Sequence, residues 1–183
     1  MKRKEIRFAG FGGQGIILAG LITARAITLF DKKESVFTQS YGPEARGGAC
    51  SAGIVVDEKG VDYPYVLKPD VLVVMSKEAF KTYVPKMNPR GILIVDKDIV
   101  KVTKNHLPPK VRVFKIPATR LAEELGNRIA ANIIMLGYFT KVTGLVSPEG
   151  MKESIKTLVP PKFIELNLKA YEVGYEYGNE GGK

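Results

Sequence analysis

The chain has one cysteine, Cys50, and one histidine, His106, among its 183 residues. A single thiol closes no intrachain disulfide, and the roughly four thiolates of an iron–sulfur cluster are out of reach for this chain alone. Neither residue has neighbours at metal-ligand spacing, so no metal site is read. A Cys–His catalytic pair has little support. Cys50 stands in the strand-like run Ala49-Cys50-Ser51-Ala52-Gly53-Ile54-Val55-Val56, where a small buried core residue is the simpler reading. No apolar run reaches the ~20 residues of a membrane helix. The basic start, Met1-Lys2-Arg3-Lys4, lacks the apolar region and cleavage site of a signal peptide, which points to the cytoplasm. Also missing are paired carboxylates, a Ser–His–Asp set and a nucleophile elbow, so no catalytic residue is assigned.

Length and composition, with 45% hydrophobic residues, predict one packed domain over residues 1–183. The net charge of +9 favours acidic or phosphorylated partners. The cations are scattered, however. Lys97, Lys101, Lys104 and Lys110 are interleaved with apolar residues, as on a solvated face. No stretch combines dense Lys/Arg with aromatics, so a nucleic-acid-binding module would rest on charge alone.

The most informative segment is Gly10-Phe11-Gly12-Gly13-Gln14-Gly15. It follows the alternating, strand-like run Lys4 to Ala9. It precedes a run from Ile16 to Phe30 that is apolar nearly all round, as in a helix buried against a sheet. A glycine-rich turn between a first strand and a first helix lets a ligand approach the backbone. The helix N-terminus then offers free N–H groups to an anion. The alternative is a tight turn that serves only close helix–strand packing.

Further along, strands are predicted over 35–40, 49–56, 70–75, 91–96 and 111–116, with a short edge strand over 61–66 limited by Pro64. Ser76 caps a helix over 77–84, and Pro117 starts another that stops at Gly126. Asn127 opens a helix containing Asn132, Ser147-Pro148 starts the next, and a final helix spans 162–177. Residues 178–183 read as a frayed tail. Strands alternating with helices predict an α/β, Rossmann-like fold with a mostly parallel sheet, in which ligands bind beyond the carboxyl ends of the strands.

The loop after the second strand, Tyr41-Gly42-Pro43-Glu44-Ala45-Arg46-Gly47-Gly48, is expected on the same rim as the first turn. Together they would line one concave site, with Arg46 meeting a phosphate or carboxylate. The alternative is a rigid loop in which Glu44 and Arg46 pair with each other. The turn lacks two partners found in nucleotide enzymes. No acid follows the second strand to hold a ribose, and no Lys-Ser/Thr pair completes a P-loop. A stand-alone nicotinamide or flavin oxidoreductase is therefore disfavoured.

Three stretches resemble one family closely: Phe8 to Gly15, Gln39 to Gly48, and Asn127 to Gly137. They look like the gamma subunit, or domain, of 2-oxoacid:ferredoxin oxidoreductases, and the likeness runs in order over essentially the whole chain. The Ser-Tyr-Gly-Pro-Glu-Ala-Arg-Gly-Gly loop is most similar to the 2-oxoglutarate branch, with the pyruvate branch as runner-up. The resemblance implies a multi-subunit enzyme that oxidatively decarboxylates a 2-oxoacid to an acyl-CoA and reduces ferredoxin. Thiamine diphosphate, Mg²⁺ and iron–sulfur clusters would then lie on alpha, beta and delta-type partner subunits. This chain would hold the complex together and help bind coenzyme A. The residues expected at that site are Gly10, Gly12, Gly13, Gln14, Gly15, Tyr41, Gly42, Glu44, Arg46, Gly47, Gly48 and Asn132. Asn132 has an alternative as a helix residue facing solvent or a partner subunit.

Overall fold

Continuous β-branched runs become buried strands here because both of their faces are covered. A computed structural model describes residues 3–41, 49–58 and 60–179. Its strands are β1 (Lys4–Phe11), β2 (Glu34–Tyr41), β3 (Ala49–Asp57), β4 (Val71–Val74), β5 (Ile92–Asp96) and β6 (Arg112–Ile116). Its helices are α1 (Ile16–Arg25), α2 (Lys77–Tyr83), α3 (Ala118–Glu124), α4 (Ala131–Thr143), α5 (Pro148–Leu158) and α6 (Ile164–Asn179). The strands form one six-stranded sheet in the order β2-β3-β1-β4-β5-β6. β1, β4, β5 and β6 run parallel, whereas β3 is antiparallel to both β1 and β2. The mostly parallel α/β expectation therefore holds, with a hairpin in place of a helical crossover between β2 and β3.

The alternation of the strands sorts side chains into two cores. Ile6, Phe8, Ile54, Val73 and Ile94 face a layer made by α1, α4, α5 and α6. Leu72, Val74, Leu93 and Val95 face α2 and the segment after β5, where Phe80 and Val100 close the second core. Phe8 of β1 meets Phe139 of α4 with ring centroids 5.4 Å apart. α4 and α6 cross with their backbones almost touching. A Cβ on Gly137 would collide with the carbonyl of Tyr171, and one on Gly174 with the carbonyl of Ile134. Glycine is required at both positions because only a bare backbone permits that approach.

Three boundaries differ from expectation. The first helix is regular only to Arg25; Ala26–Phe30 continues as a π turn, with Asp31 N–H donating to Ala26 O at 3.0 Å and Lys33 N–H to Ile27 O at 3.1 Å. Residues 61–66 form no strand. Arg3 donates to the carbonyls of Tyr63 and Tyr65, and Arg7 to that of Val66, so guanidinium groups take the acceptors a strand partner would need. Pro64 has no N–H to offer in return. Gly178 and Asn179 belong to the last turn of α6 rather than to a frayed tail, while 180–183 lie outside the described residues. Among the described residues no helix is long and apolar enough to cross a membrane.

Candidate functional site

The sharp turn at Gly12–Gly15 begins where β1 ends, at the carboxyl edge of the sheet. Gln14 N–H donates to Phe11 O at 3.2 Å and closes the turn. Gly13 and Gly15 have φ of +95° and +70°, values that L side chains rarely adopt. The glycines have different reasons. A Cβ on Gly10 would meet Gln14 Oε1 and, at 2.8 Å, Ile16 Cδ1, so this glycine lets α1 lie close to β1. A Cβ on Gly15 would strike the Asn132 side chain. Above Gly13 nothing lies within 4 Å, so its backbone faces open space.

Three polar side chains lock the elements around this opening. Gln14 Oε1 accepts from Phe11 N–H at 2.7 Å, and its Nε2 donates to Met75 O at 2.8 Å, joining the ends of β1 and β4. Its amide oxygen and one of its N–H groups are thus engaged within the fold. Asn132, almost fully buried, donates from Nδ2 to Gly15 O at 3.1 Å and holds the start of α4 against the turn. It does not face solvent. Asp96, fully buried at the end of β5, accepts from Thr119 N–H at 2.9 Å and from Thr119 Oγ1 at 2.6 Å, anchoring the first turn of α3. Burial raises its carboxyl pKa above the ordinary value, against the lowering effect of the Thr119 and Asp98 hydrogen bonds.

The result is a rim on which the N-termini of α1, α3 and α4 converge. A cavity of about 270 Å³ lies between Gly13, Gln14, Met75, Thr119 and Arg128. A second, of about 240 Å³, lies on the other side of Ile129 and also touches Gly13. The first N–H groups of a helix lack intrahelical partners and carry partial positive charge. Among the described residues no hydrogen bond takes the N–H of Gly13 or Gly15. Arg128 adds a full positive charge, its Nε 3.5 Å from Glu123 Oε1 in an exposed pair. Such a rim suits an anion at a strand-end crevice.

Of the expected site residues, Gly10, Gly12, Gly13, Gln14, Gly15 and Asn132 lie at this turn. Tyr41 lies across the sheet edge: it is paired with Cys50, which is paired with Gly10. That puts it on the same rim, about 10 Å away by strand spacing, with 64% of its surface exposed. Gly42, Glu44, Arg46, Gly47 and Gly48 lie outside the described residues. Sequence reading missed Met75, Asp96, Thr119, Arg128 and Ile129. An acid closing the apolar strand 91–96 was a visible signal; the others have none of their own. Cys50 is buried in β3 and its thiol pKa is raised by burial. His106 is engaged with Thr103 Oγ1 at 2.7 Å and packs against Phe80, so no Cys–His pair forms.

The model of the family described as pyruvate ferredoxin/flavodoxin oxidoreductase matches residues 5–177. The 2-oxoglutarate synthase subunit KorC of Methanocaldococcus jannaschii is 49% identical, over 97% of this chain and 95% of its own. The pyruvate synthase subunit PorC of Methanothermobacter thermautotrophicus is 34% identical, over 94% of each chain. The ketoisovalerate oxidoreductase subunit VorA of the same organism is also 34% identical; it covers 96% of this chain, which matches only 36% of that longer one. Among solved structures, the gamma subunit of a keto/oxoacid ferredoxin oxidoreductase from Geobacter sulfurreducens superposes with a TM-score of 0.84. It is 37% identical, over 97% of this chain and 99% of its own. The pyruvate oxidoreductase subunit PORC of Thermotoga maritima follows with a TM-score of 0.78, 29% identity and coverage of 96% and 97%. A family match over nearly the whole length, together with full-length gamma-subunit likeness in sequence and fold, means that the chain belongs to the pyruvate ferredoxin/flavodoxin oxidoreductase family, among its gamma subunits.

Proposed function

We propose that this chain is the gamma subunit of a cytoplasmic 2-oxoglutarate:ferredoxin oxidoreductase, in which it scaffolds the complex and contributes to the coenzyme A site. The observation that carries the 2-oxoglutarate branch is near-half identity, end to end, with a subunit named for that substrate, against about a third for the pyruvate subunit. Alpha, beta and delta-type subunits complete the enzyme, and ferredoxin takes the electrons. When bound to those partners, thiamine diphosphate with Mg²⁺ supplies the carbanion chemistry of decarboxylation and the iron–sulfur clusters supply the electron path.

The residues of this chain do not fit those groups. Its one cysteine is buried, and among the described residues no group of three or more His, Cys, Asp or Glu is placed to hold a metal ion. They do fit a phosphate-bearing ligand. Gly13 presents open backbone, the α1, α3 and α4 N-termini aim at the same rim, and Arg128 supplies charge. Gly12, Gly13 and Gly15 would donate from the backbone. Gln14, Asn132 and Asp96 would keep the turn and the helix ends in position. Arg46, with Tyr41, Gly42, Glu44, Gly47 and Gly48, would approach from the second loop. Holding a charged cosubstrate in one place turns its encounter with the reacting centre into a local event.

The test uses the assembled complex. Ferredoxin reduction with coenzyme A should proceed with 2-oxoglutarate and run slower with pyruvate; the reverse order overturns the substrate assignment. Isothermal titration of complexes carrying Gly13→Asp or Arg46→Ala should show weakened coenzyme A binding. Unchanged affinity in both variants removes coenzyme A from this chain's role.

A further inference from the structure

The second cavity beside Gly13 opens onto an apolar surface that the fold itself leaves uncovered. Ile129 is 78% exposed and forms the ridge between the two cavities. Across the groove stand Leu18, Val159, Phe163 and Leu166. The surface continues along α1. Leu18, Leu21 and Arg25 are spaced by three and four residues, so they form one stripe, and Leu21 is 38% exposed. A helix with one face on a sheet ordinarily carries polar residues on its outer face. α1 carries the exposed Leu21 there, with Leu18 partly buried beside it. The stripe ends at the half-buried Arg25, which makes no ion pair among the described residues.

We propose that this surface docks the partner subunit that corresponds to the tethered remainder of the longer VorA chain, through an apolar segment flanked by carboxylates, and that docking completes the site at Gly13. The inference rests on the functional reading above and goes beyond it by naming the surface and its occupant.

Two observations select that occupant. The chain carries a net charge of +9, so two copies repel, and a partner with carboxylates opposite Arg25 and Arg128 is complementary. In VorA the region matching this chain is 36% of a longer polypeptide, so the rest of that chain is tethered to this fold. A surface built to receive a neighbour fits that arrangement, with a separate subunit here taking the place of the tethered remainder. The groove also shares Gly13 with the first cavity, so an occupant seated on Ile129 would form one wall of the site.

A second exposed apolar set, Tyr63, Tyr65 and Leu67, lies at the opposite edge of the sheet and provides a control. It is fixed there by Arg3, which donates to the Tyr63 and Tyr65 carbonyls, and by Glu5, which accepts from the N–H groups of Leu67 and Lys68.

The experiment places p-benzoylphenylalanine at residue 129, and separately at residue 65, in the coexpressed complex. Irradiation is followed by mass-spectrometric identification of the crosslinked chain. The expected result is a crosslink from position 129 to the subunit that corresponds to the remainder of VorA, and none from position 65. A covalent dimer of this chain, a crosslink from position 65 alone, or no crosslink from position 129 overturns the proposal. In parallel, Ile129→Asp and Arg25→Glu should each weaken subunit association about tenfold or more. The isolated variants should keep the wild-type melting temperature. Undiminished association in both variants also overturns it. If the unmodified chain assembles with no oxidoreductase subunit, the functional reading itself fails. An active complex without the crosslink leaves that reading intact and removes only the docking surface.

Discussion

The Asn132 side chain occupies the space that a side chain on Gly15 would need, and its Nδ2 donates to Gly15 O at 3.1 Å. Two elements far apart in sequence are locked by this exchange of an amide for a missing Cβ. Gly15→Ala therefore meets two penalties, the left-handed backbone at φ +70° and the collision with Asn132. The backbone part is worth about 1–2 kcal/mol, and the total should exceed it. In a double-mutant cycle by urea denaturation, Asn132→Ala should relieve the collision but not the backbone strain. The double variant should be more stable than the sum of the single losses predicts. Strict additivity would mean that the two residues do not compete for this space.

Gly13 differs from Gly15 in having free space above it. Gly13→Ala should lose only about 1 kcal/mol of stability from its positive φ, because the new methyl group meets nothing within 4 Å. In the assembled enzyme the same methyl group would project into the mouth of the site. The KM for coenzyme A should rise about tenfold, equivalent to roughly 1.4 kcal/mol. Kinetics and thermal denaturation on one preparation check both halves. A large loss of stability with an unchanged KM would reverse the assignment.

Gln14 joins the ends of β1 and β4 through both ends of its amide. Gln14→Ala leaves the Phe11 N–H and the Met75 carbonyl without their partner. The expected destabilisation is about 1–3 kcal/mol, read from urea titration. Gln14→Glu keeps an acceptor for Phe11 N–H, loses the donor to Met75, and should fall between wild type and the alanine variant. Equal loss in both variants would assign the whole effect to the Met75 bond.

Asp96 gives a pH dependence whose sign follows from its burial. Its folded-state pKa is raised above the ordinary carboxylate value, so the folded state holds the proton more tightly than the unfolded chain. As pH rises from the ordinary carboxylate range through the folded value, the unfolded state releases its proton first, and this residue's contribution to stability declines. Asp96→Asn keeps an acceptor for Thr119 and has no charge to bury. The stability of wild type relative to this variant should therefore fall as pH rises above about 4, the ordinary carboxylate value. Urea denaturation across that range checks the direction. A rising difference would show the carboxylate to be held in place as an anion by Thr119 and Asp98.

Much of this was legible in the chain because it is local. The runs 70–75 and 91–96 are apolar and β-branched, and they are buried on both faces as β4 and β5. Ser76, Asn127 and Ser147 cap the helical segments that follow them, and Gly126 has the positive φ of a helix stop. What was not legible depends on partners distant in sequence. The bond from Gln14 to Met75 spans 61 positions and that from Asn132 to Gly15 spans 117. Residues 61–66 alternate like a strand, yet Arg3 and Arg7 take their carbonyls, a competition that no window of neighbouring residues contains. Ile129 and Arg128 sit on a short 3-10 turn, where side-chain pattern says nothing about direction.

The β2–β3 hairpin has a bearing on how this family can change. Its ladder fixes Glu34 opposite Asp57 and Tyr41 opposite Cys50, and β3 is in turn fixed against the full length of β1. Slipping β3 by one residue would turn Cys50, Ala52, Ile54 and Val56 out of the core. The two strands thus act as a ruler of set length that delivers Tyr41 and Ala49 to the same rim as the glycine turn. Residues joining those two points can be exchanged, lengthened or recharged without moving the endpoints. The two ends of that connection are held by the sheet, whatever residues lie between them.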